Sequence, residues 1–314
     1  AMSANGGKLS SGFDSGDSPV LIARLIADAD GHETRLEALA KALANAGMAA
    51  GAQIGSKALS EDKTISQLRI DHDDHAMLRE VVETNVNPDS AFITASGMEA
   101  LTLFVSDMDS TMIEQECIDE LADFAGIKDE VSAITERAMQ GEIDFETSLR
   151  QRVKLLAGID ESAIAECLAD RITTMPGARA LVQTLKAKGV RTVLVTGGFH
   201  HFADPIADKL GFDRVVANRL DVRDGKLTGG LVGPIADGQT KLAILEEERA
   251  ELGAGRVLAT GDGANDIPML QAADYGFAYK AKKTARDAAS GWIDRGDLTA
   301  ILDLFDIPDD ERAE

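Results

Sequence analysis

The sequence predicts an α/β protein in which a parallel sheet carries helices on both faces. From residue 101 onward, short apolar runs typical of buried strands alternate with helical patterns, and this alternation indicates βαβ units. Residues 116–172 contain helical patterns and no candidate strand, so we expect a helical bundle inserted after the first strand as a cap. Residues 19–97 carry their own, shorter strand and helix pattern. The expected architecture is therefore a Rossmann-like sheet with a helical-bundle cap, preceded by a small α+β domain.

The N-terminal part divides into a tail and this small domain. Residues 1–18 are rich in Gly, Ser and Asp and poor in apolar residues, which predicts a disordered tail. Residues 19–97 are expected to form the α+β domain, with a boundary near Ser96-Gly97. Its predicted strands are Val20–Ala27, Ile65–Ile70 and Ala91–Thr94, and its predicted helices are Glu33–Ala46 and His75–Asn85.

The larger part, residues 98–314, begins with the strand Leu101–Val105 and continues through the cap at about 116–172. The alternation then resumes, with a hairpin turn at Asp224-Gly225. The predicted strands are Arg191–Val195, Val215–Asn218, Val257–Ala259, Tyr275–Tyr279 and Trp292–Asp294, and the predicted helices are Gly177–Lys188, His201–Leu210, Thr240–Glu251 and Pro268–Ala273.

Composition excludes several classes of protein. The formal net charge is −22, which argues against nucleic acid and anionic membranes as partners. Two cysteines supply neither a disulfide framework nor a zinc site. No apolar run approaches the length of a membrane span, and no signal peptide is recognised. We therefore expect a cytoplasmic protein that acts on a small molecule.

Carboxylates follow two of the predicted strands. Asp107 and Asp109 come directly after Leu101–Val105, and Asp262 and Asp266 follow Val257–Ala259. Ligands bind beyond the carboxyl ends of strands in an open parallel sheet, so these four side chains are expected at one point. Such a cluster is costly without a cation, and oxygen ligands favour Mg²⁺. The plainer alternatives are a solvated Asp-x-Asp turn and a capped helix start.

A phosphoryl-transfer site is one chemical interpretation of these residues. One carboxylate can attack phosphorus and form an aspartyl-phosphate, while the other protonates the leaving oxygen and later draws a proton from water. Thr196-Gly197-Gly198 follows a predicted strand and offers a hydroxyl and backbone N–H groups to a phosphate at the start of a helix. Lys241 lies in the first turn of a later helix. Taken singly, the glycines are more often a turn and the lysine a surface group.

The order of these features resembles the haloacid dehalogenase superfamily of phosphohydrolases and, within it, the phosphoserine phosphatase family. Residues 19–97 are more loosely similar to the ACT-like unit that often precedes such enzymes. The resemblance of residues 101–303 rests on Asp107–Thr111, Glu114–Leu121, Met139–Phe145, Leu149–Val153, Thr196–Phe199, Asp224–Gly229 and Gly261–Asp266.

The resemblance implies a role for each catalytic position. Asp107 would be the nucleophile and Asp109 the general acid and base. Mg²⁺ would be held by the Asp107 carboxylate, the Asp109 backbone carbonyl and Asp262, with Asp266 supporting it from outside. Thr196, Gly197 and Lys241 would hold the phosphate oxygens. Thr196 departs from the family pattern, which more often has Ser, but it keeps the hydroxyl.

The resemblance also implies how the cap selects its substrate. Glu116 would pair with the ammonium of phosphoserine and Arg152 with its carboxylate. Met139 and Phe145 would line the apolar side, and Asn265 would lie near the phosphate or orient Lys241. Without the resemblance, Glu116 and Arg152 are an ordinary pair on a helix surface.

The implied activity is Mg²⁺-dependent hydrolysis of O-phospho-L-serine to L-serine and phosphate, the last step of serine biosynthesis. A phosphotransferase that passes the phosphoryl group to another alcohol, and a phosphatase for a different monoester, share the same chemistry. A serine sensor with an inactive phosphatase part is an alternative of another class. ACT-like units often pair across a two-fold axis, so a homodimer is also an expectation.

Overall fold

One continuous sheet runs through the molecule. The computed structural model describes residues 20–95, 100–139, 142–253 and 255–313. The strands within these residues are β1 (Leu21–Asp28), β2 (Gln53–Ala58), β3 (Lys63–Ile70), β4 (Ser90–Thr94), β5 (Leu101–Ser106), β6 (Arg191–Phe199), β7 (Arg214–Arg223), β8 (Lys226–Val232), β9 (Arg256–Gly261), β10 (Tyr275–Tyr279) and β11 (Gly291–Ile293). They lie in the order β2-β3-β1-β4-β11-β10-β9-β5-β6-β7-β8. The predicted tail 1–18 and the boundary at Ser96-Gly97 lie outside the described residues.

The N-terminal unit, residues 20–95, has the β-α-β-β-α-β order of the ferredoxin-like motif. Its strands pair antiparallel, and its two helices pack on one face of them. These helices are α1 (His32–Asn45) and α2 (His75–Val86). The sequence analysis missed β2 because this edge strand has a single large apolar residue, Ile54, and is largely exposed. The other predicted elements of this unit are confirmed to within one or two residues at each end.

The N-terminal unit extends the sheet of the larger part. β4 pairs antiparallel with β11, with Ala91 opposite Trp292. On the face opposite α1 and α2, Phe92 stacks on Phe305, with 5.7 Å between ring centroids. The buried Arg24 donates to the backbone carbonyl of Leu304 at 2.8 Å. The two parts of the chain therefore share a sheet and part of a core, which the local sequence patterns did not predict.

The central strands from β11 to β7 run parallel, and β7 and β8 form an antiparallel hairpin. The flanking helices are α7 (Ala178–Ala187), α8 (His200–Leu210), α9 (Gly238–Leu252), α10 (Ile267–Ala272), α11 (Lys283–Ala288) and α12 (Ala300–Leu304). Alternate residues of β5 face opposite layers: Phe104 packs in the layer of α7 and α8, whereas Leu103 and Val105 pack with α9 and α10. The predicted α/β class with helices on both faces is confirmed. In the described residues, we find no helix long and apolar enough to cross a membrane.

Four helices lie between β5 and α7, as the sequence predicts for the cap. They are α3 (Cys117–Phe124), α4 (Lys128–Met139), α5 (Phe145–Leu155) and α6 (Ser162–Arg171). The end of α5 packs on the β7–β8 hairpin at Gly229, where a Cβ would lie 2.9 Å from that of Ala157. Backbone hydrogen bonds from Gly158 to Leu227 and from Leu227 to Ile159 hold the cap to this hairpin.

Candidate active site

A buried lysine joins two carboxylates at the carboxyl edge of the sheet. The Nζ of Lys241 lies 2.7 Å from Asp107 Oδ1 and 2.6 Å from Asp266 Oδ1. Burial alone would lower the pKa of the Lys241 ammonium, but the two carboxylates outweigh it and raise this pKa. Burial and the Asp266 charge raise the pKa of Asp107 well above its usual range, and Lys241 opposes them. The lysine is therefore a fixed positive charge at this point.

Local backbone structure sets the positions of Asp107 and Lys241. Asp107 follows β5 directly, and its N–H donates to the carbonyl of Thr260 in β9 at 3.0 Å. The Met108 N–H donates to Asp107 Oδ1 at 2.8 Å. Lys241 lies in the first turn of α9, whose N-cap Asp237 accepts from the Thr240 N–H at 2.9 Å. A strand end and a capped helix start thus place the two side chains against each other.

Asp109 is hydrogen-bonded to the cap and to β6. One of its carboxylate oxygens accepts from the Cys117 N–H at 2.9 Å, and the other accepts from the Thr196 hydroxyl at 3.3 Å. Burial raises the pKa of Asp109, and these hydrogen bonds oppose the rise. A carboxyl with a raised pKa is suited to donate a proton and to take it back.

Three of the four strand-end carboxylates gather in one group. Asp107, Asp262 and Asp266 each offer an oxygen within 4.8 Å of the others. Asp266 is held from outside, because its second oxygen accepts from the N–H groups of Asp262 and Gly263 at 3.1 and 3.0 Å. Asp109 also lies close to this group, because its charge raises the pKa of both Asp107 and Asp262, but its own oxygens accept from Cys117 and Thr196. These three carboxylates could hold a metal ion.

Lys241 pairs directly with two of the three carboxylates, Asp107 and Asp266. For the third, burial together with Asp266 raises the pKa of Asp262 to about 6, and the charges of Lys282 and Lys241 oppose this rise without cancelling it. A carboxyl that titrates near 6 is poorly stabilised as an anion. A divalent cation between Asp107 and Asp262 would remove that penalty, since hard cations prefer carboxylate oxygens.

The end of β6 contains Thr196, Gly197 and Gly198, which were expected in a loop at the start of a helix. β6 continues to Phe199 and α8 begins at His200, so the predicted phosphate cradle at a helix start is wrong in that respect. The Thr196 hydroxyl accepts from the Gly198 N–H at 2.9 Å. A Cβ on Gly198 would lie 2.8 Å from an Asp109 oxygen, so this approach requires glycine.

One buried side chain of the site was missed by the sequence analysis. Asn218 lies in β7, and its amide donates to the Gly197 carbonyl at 2.8 Å. It also binds both backbone groups of Ala236, which precedes α9. An asparagine is unfavourable in a buried strand, and this could have been the signal.

The cap brings Glu116 and Arg152 toward the site. Glu116 accepts from the Ser110 hydroxyl at 2.8 Å. The residue is exposed, yet protein atoms crowd its carboxylate, and this crowding together with Asp109 raises the pKa of Glu116 to about 7. Burial lowers the pKa of Arg152, while Asp119 and Glu116 oppose the change. Among the described residues, the buried Nε of Arg152 has no hydrogen-bond partner.

Two of the remaining predicted residues, Phe145 and Asn265, lie at the same edge. The Phe145 ring covers Gly197, where a Cβ would be 3.1 Å from its Cζ. The carbonyl of Asn265 lies against Gly238, where a Cβ would be 2.6 Å from that oxygen, three residues before Lys241. Met139 is the last residue of α4, and its side chain lies outside the described part of the structure.

Comparison with known proteins supports this description. The family model of the haloacid dehalogenase-like hydrolases matches residues 104–271. A phosphoserine phosphatase from Albidiferax ferrireducens is 46% identical over 210 residues, which are 65% of this chain and 89% of that relative. The structure of a haloacid dehalogenase family hydrolase from Salmonella enterica superposes with a TM-score of 0.79 at 27% identity. The match covers 92% of this chain and 99% of that hydrolase. A phospho-aspartyl intermediate analogue of phosphoserine phosphatase superposes with a TM-score of 0.60 at 39% identity, over 65% of this chain and 98% of its own.

Proposed function

The chain belongs to the haloacid dehalogenase-like hydrolase family, and on that premise we propose that it hydrolyses O-phospho-L-serine to L-serine and phosphate through an aspartyl-phosphate on Asp107. The single observation that carries the proposal is the pairing of Asp107 with Lys241, beside an Asp109 whose oxygens accept from the Cys117 N–H and the Thr196 hydroxyl. Two carboxylates two residues apart thus have different partners and different tasks.

In the first step, the Asp107 oxygen that Lys241 does not bind attacks phosphorus. The bond between phosphorus and the serine oxygen breaks, and Asp109 gives its proton to that oxygen, so L-serine leaves neutral at its hydroxyl. Lys241 reduces the repulsion between the attacking carboxylate and the phosphate dianion. The Thr196 hydroxyl and the Gly197 N–H hold the phosphoryl oxygens.

In the second step, water attacks phosphorus on the opposite side from Asp107. Asp109, now ionised, takes a proton from this water, and the bond between phosphorus and Asp107 breaks. Phosphate and the Asp107 carboxylate are released, and Asp109 is protonated again. The enzyme groups thus return to their starting state, and the net change is hydrolysis of the phosphate ester by one water.

Magnesium fits the donor set as the cofactor. Asp107, Asp262 and the backbone carbonyl of Asp109 would hold the ion, and Asp266 would support it from outside. When bound, Mg²⁺ supplies positive charge to the phosphoryl oxygens and balances the surplus of carboxylates. The convergence of three carboxylate oxygens within 4.8 Å of one another supports this assignment.

Substrate selection is assigned to the cap. Glu116 pairs with the substrate ammonium, and the unpartnered Nε edge of Arg152 faces the carboxylate. Phe145, over Gly197, closes the apolar side and excludes water. This division predicts that a substrate without the ammonium no longer depends on Glu116 for binding, and that one without the carboxylate no longer depends on Arg152.

The test is phosphate release from O-phospho-L-serine with Mg²⁺, for the wild type beside Asp107→Asn. Loss of the nucleophile should reduce kcat by about 10³-fold or more. Asp224→Asn in the exposed β7–β8 turn is the matched control and should leave kcat unchanged. Full activity in Asp107→Asn would overturn the covalent mechanism.

Two truncated substrates test the cap. O-Phosphoethanolamine lacks the carboxylate, and the phosphate ester of 3-hydroxypropanoate lacks the ammonium. Arg152→Ala should weaken binding of phosphoserine but not of phosphoethanolamine. Glu116→Ala should weaken binding of phosphoserine but not of the hydroxypropanoate ester. Added homoserine distinguishes hydrolysis from transfer, since a transferase would yield phosphohomoserine.

We also propose that residues 19–97 form an ACT-like domain that binds serine as a regulator. The β-α-β-β-α-β order of residues 20–95 supports this. Serine should inhibit the full chain noncompetitively if it binds there, whereas purely competitive inhibition would assign all serine binding to the active site. We also expect a homodimer formed through this unit. Analytical ultracentrifugation of the full chain tests this, because the sedimentation coefficient distinguishes a dimer from a monomer.

A further inference from the structure

The carboxamide of Asn218 connects two segments of the active site that are distant in sequence. Its Nδ2 donates to the carbonyls of Gly197 and Ala236 at 2.8 and 3.2 Å, and its Oδ1 accepts from the Ala236 N–H at 2.8 Å. The residue is 1% exposed. Both protons on the nitrogen and one lone pair on the oxygen are therefore used.

An irregularity in the sheet explains why a side chain is needed here. β6 and β7 pair regularly up to Val195 opposite Val216, and pairing resumes at Phe199 opposite Asn218. Between these two pairs the chain covers four residues in β6 but only two in β7. The residues of β6 between Val195 and Phe199 therefore form a bulge outside the ladder. The half-buried Gly197 carbonyl lies in this segment outside the ladder, and the Asn218 amide donates to it.

The second segment leads to the lysine. Ala236 directly precedes Asp237, the N-cap of α9, and α9 carries Lys241 in its first turn. Both backbone groups of Ala236 are held by Asn218, so this side chain sets where the helix begins. The first segment carries Thr196, whose hydroxyl reaches Asp109.

We propose that Asn218 is a positioning residue that fixes the phosphate-binding end of β6 relative to the lysine-bearing start of α9. The proposal rests on the proposed function only in assuming that both segments bind the same phosphoryl group. It acts through Gly197 and Lys241 and requires no contact between Asn218 and the substrate.

Asn218→Asp is the sharpest variant. It keeps the shape and the acceptor for the Ala236 N–H, but places an oxygen against two carbonyl oxygens in place of the two-proton donor. We expect binding of inorganic phosphate in Mg²⁺ buffer, measured by calorimetry, to weaken at least about tenfold, and kcat to fall about 10–100-fold. Inhibition by L-serine should change less than about twofold, because the cap holds that product.

A matched control separates this effect from lost stability. Thr184 is fully buried and accepts from the Ala313 N–H at 2.9 Å, far from the site along α7. Thr184→Val should lower the melting temperature without changing phosphate binding. If Asn218→Asp does not fold, Asn218→Ser removes the same donors with less repulsion and is expected to show the same selective loss.

Two outcomes would overturn the inference: phosphate binding equal to wild type in a folded Asn218 variant, or parallel losses of phosphate and serine binding. Failure of the proposed function looks different, because wild type would then bind inorganic phosphate and Mg²⁺ without turning over O-phospho-L-serine. Phosphate binding by the variants would still decide the role of Asn218 in that case.

Discussion

The guanidinium of Arg79 in the N-terminal helix α2 lies over the indole ring of Trp292 in β11, with 4.5 Å between its central carbon and the ring centroid. Arg286 of α11 lies 4.8 Å from the same ring, and Glu83 pairs with both arginines. Arg79 also donates to the carbonyls of Arg286 and Ala289 at the end of α11. The N-terminal unit therefore caps a helix of the catalytic part.

Removal of Arg79 should destabilise the whole chain. Arg79→Ala loses a partly buried cation–π contact and hydrogen bonds to helix-end carbonyls, so we expect the free energy of unfolding in urea to fall by about 2–3 kcal/mol. Arg150→Ala is the matched control, because Arg150 also pairs with a glutamate one helical turn away but lies exposed. Its loss should be within about 0.5 kcal/mol. Equal losses in the two variants would refute a structural role for the Arg79–Trp292 contact.

Lys241 should contribute to both stability and activity, because it is buried between two carboxylates. Lys241→Met leaves Asp107 and Asp266 without their shared cation, and removing one partner of a buried ion pair costs about 3–5 kcal/mol. We expect the free energy of unfolding to fall by this amount without metal and by less with Mg²⁺. The variant should also release almost no phosphate from O-phospho-L-serine. Lys226→Met breaks the exposed pair with Asp160 and should change neither quantity. Substantial turnover by Lys241→Met would remove this lysine from the mechanism.

The sequence predicted the parts of the site that local pattern determines. Asp107, Asp109, Asp262 and Asp266 stand at strand ends because an apolar run is followed by a turn, and this is visible in a single stretch of chain. The partner that orients Asp109, the Cys117 N–H of the cap, could not be predicted from the strand end alone. Local pattern fixes the position of a residue but not the partner that orients its side chain.

The features that were missed depend on long-range pairing. The β4–β11 ladder joins residues about 200 positions apart, and three residue pairs are too short a pattern to detect in sequence. Asn218 ends a run of apolar residues, and its function arises from a bulge in β6 that only the β6–β7 register shows. Both follow from tertiary pairing, which overrides the local preference of each segment.

Glu116 gives a pH-dependent prediction. Its pKa is about 7 in the free site, and only the ionised carboxylate pairs with an ammonium. At saturating Mg²⁺, KM for O-phospho-L-serine should therefore fall as the pH rises from 6 to 8. Ser110→Ala removes a hydrogen bond that stabilises the carboxylate, so the inflection should move to higher pH.

The phosphate group itself titrates in this range, so a control substrate is needed. The phosphate ester of 3-hydroxypropanoate has the same phosphate but no ammonium, and its KM should lack the Glu116 inflection. Glu116→Gln should remove the inflection for phosphoserine as well. If the inflection persists in Glu116→Gln, another group controls binding.

Asp262 links metal binding to pH. Burial and Asp266 raise the pKa of Asp262 to about 6, so the metal-free native protein binds this proton more tightly than the unfolded chain does. The contribution of Asp262 to the free energy of unfolding therefore falls as the pH rises from about 4 through 6. A cation that pairs with the ionised carboxylate stabilises the native state most above that range. Mg²⁺ should accordingly raise the melting temperature more at pH 7.5 than at pH 5.

Thermal unfolding with and without Mg²⁺ at the two pH values measures this link. At a Mg²⁺ concentration about 100 times its dissociation constant, the stabilisation is about 2.7 kcal/mol. Asp262→Asn cannot titrate and should lose most of both the stabilisation and its pH dependence, whereas Asp224→Asn, in an exposed turn, should keep both. Equal stabilisation of Asp262→Asn and wild type would place the metal elsewhere. Because burial and the Asp266 charge both disfavour the ionised form of Asp262, a cation that pairs with this carboxylate offsets the same penalty that raises its pKa.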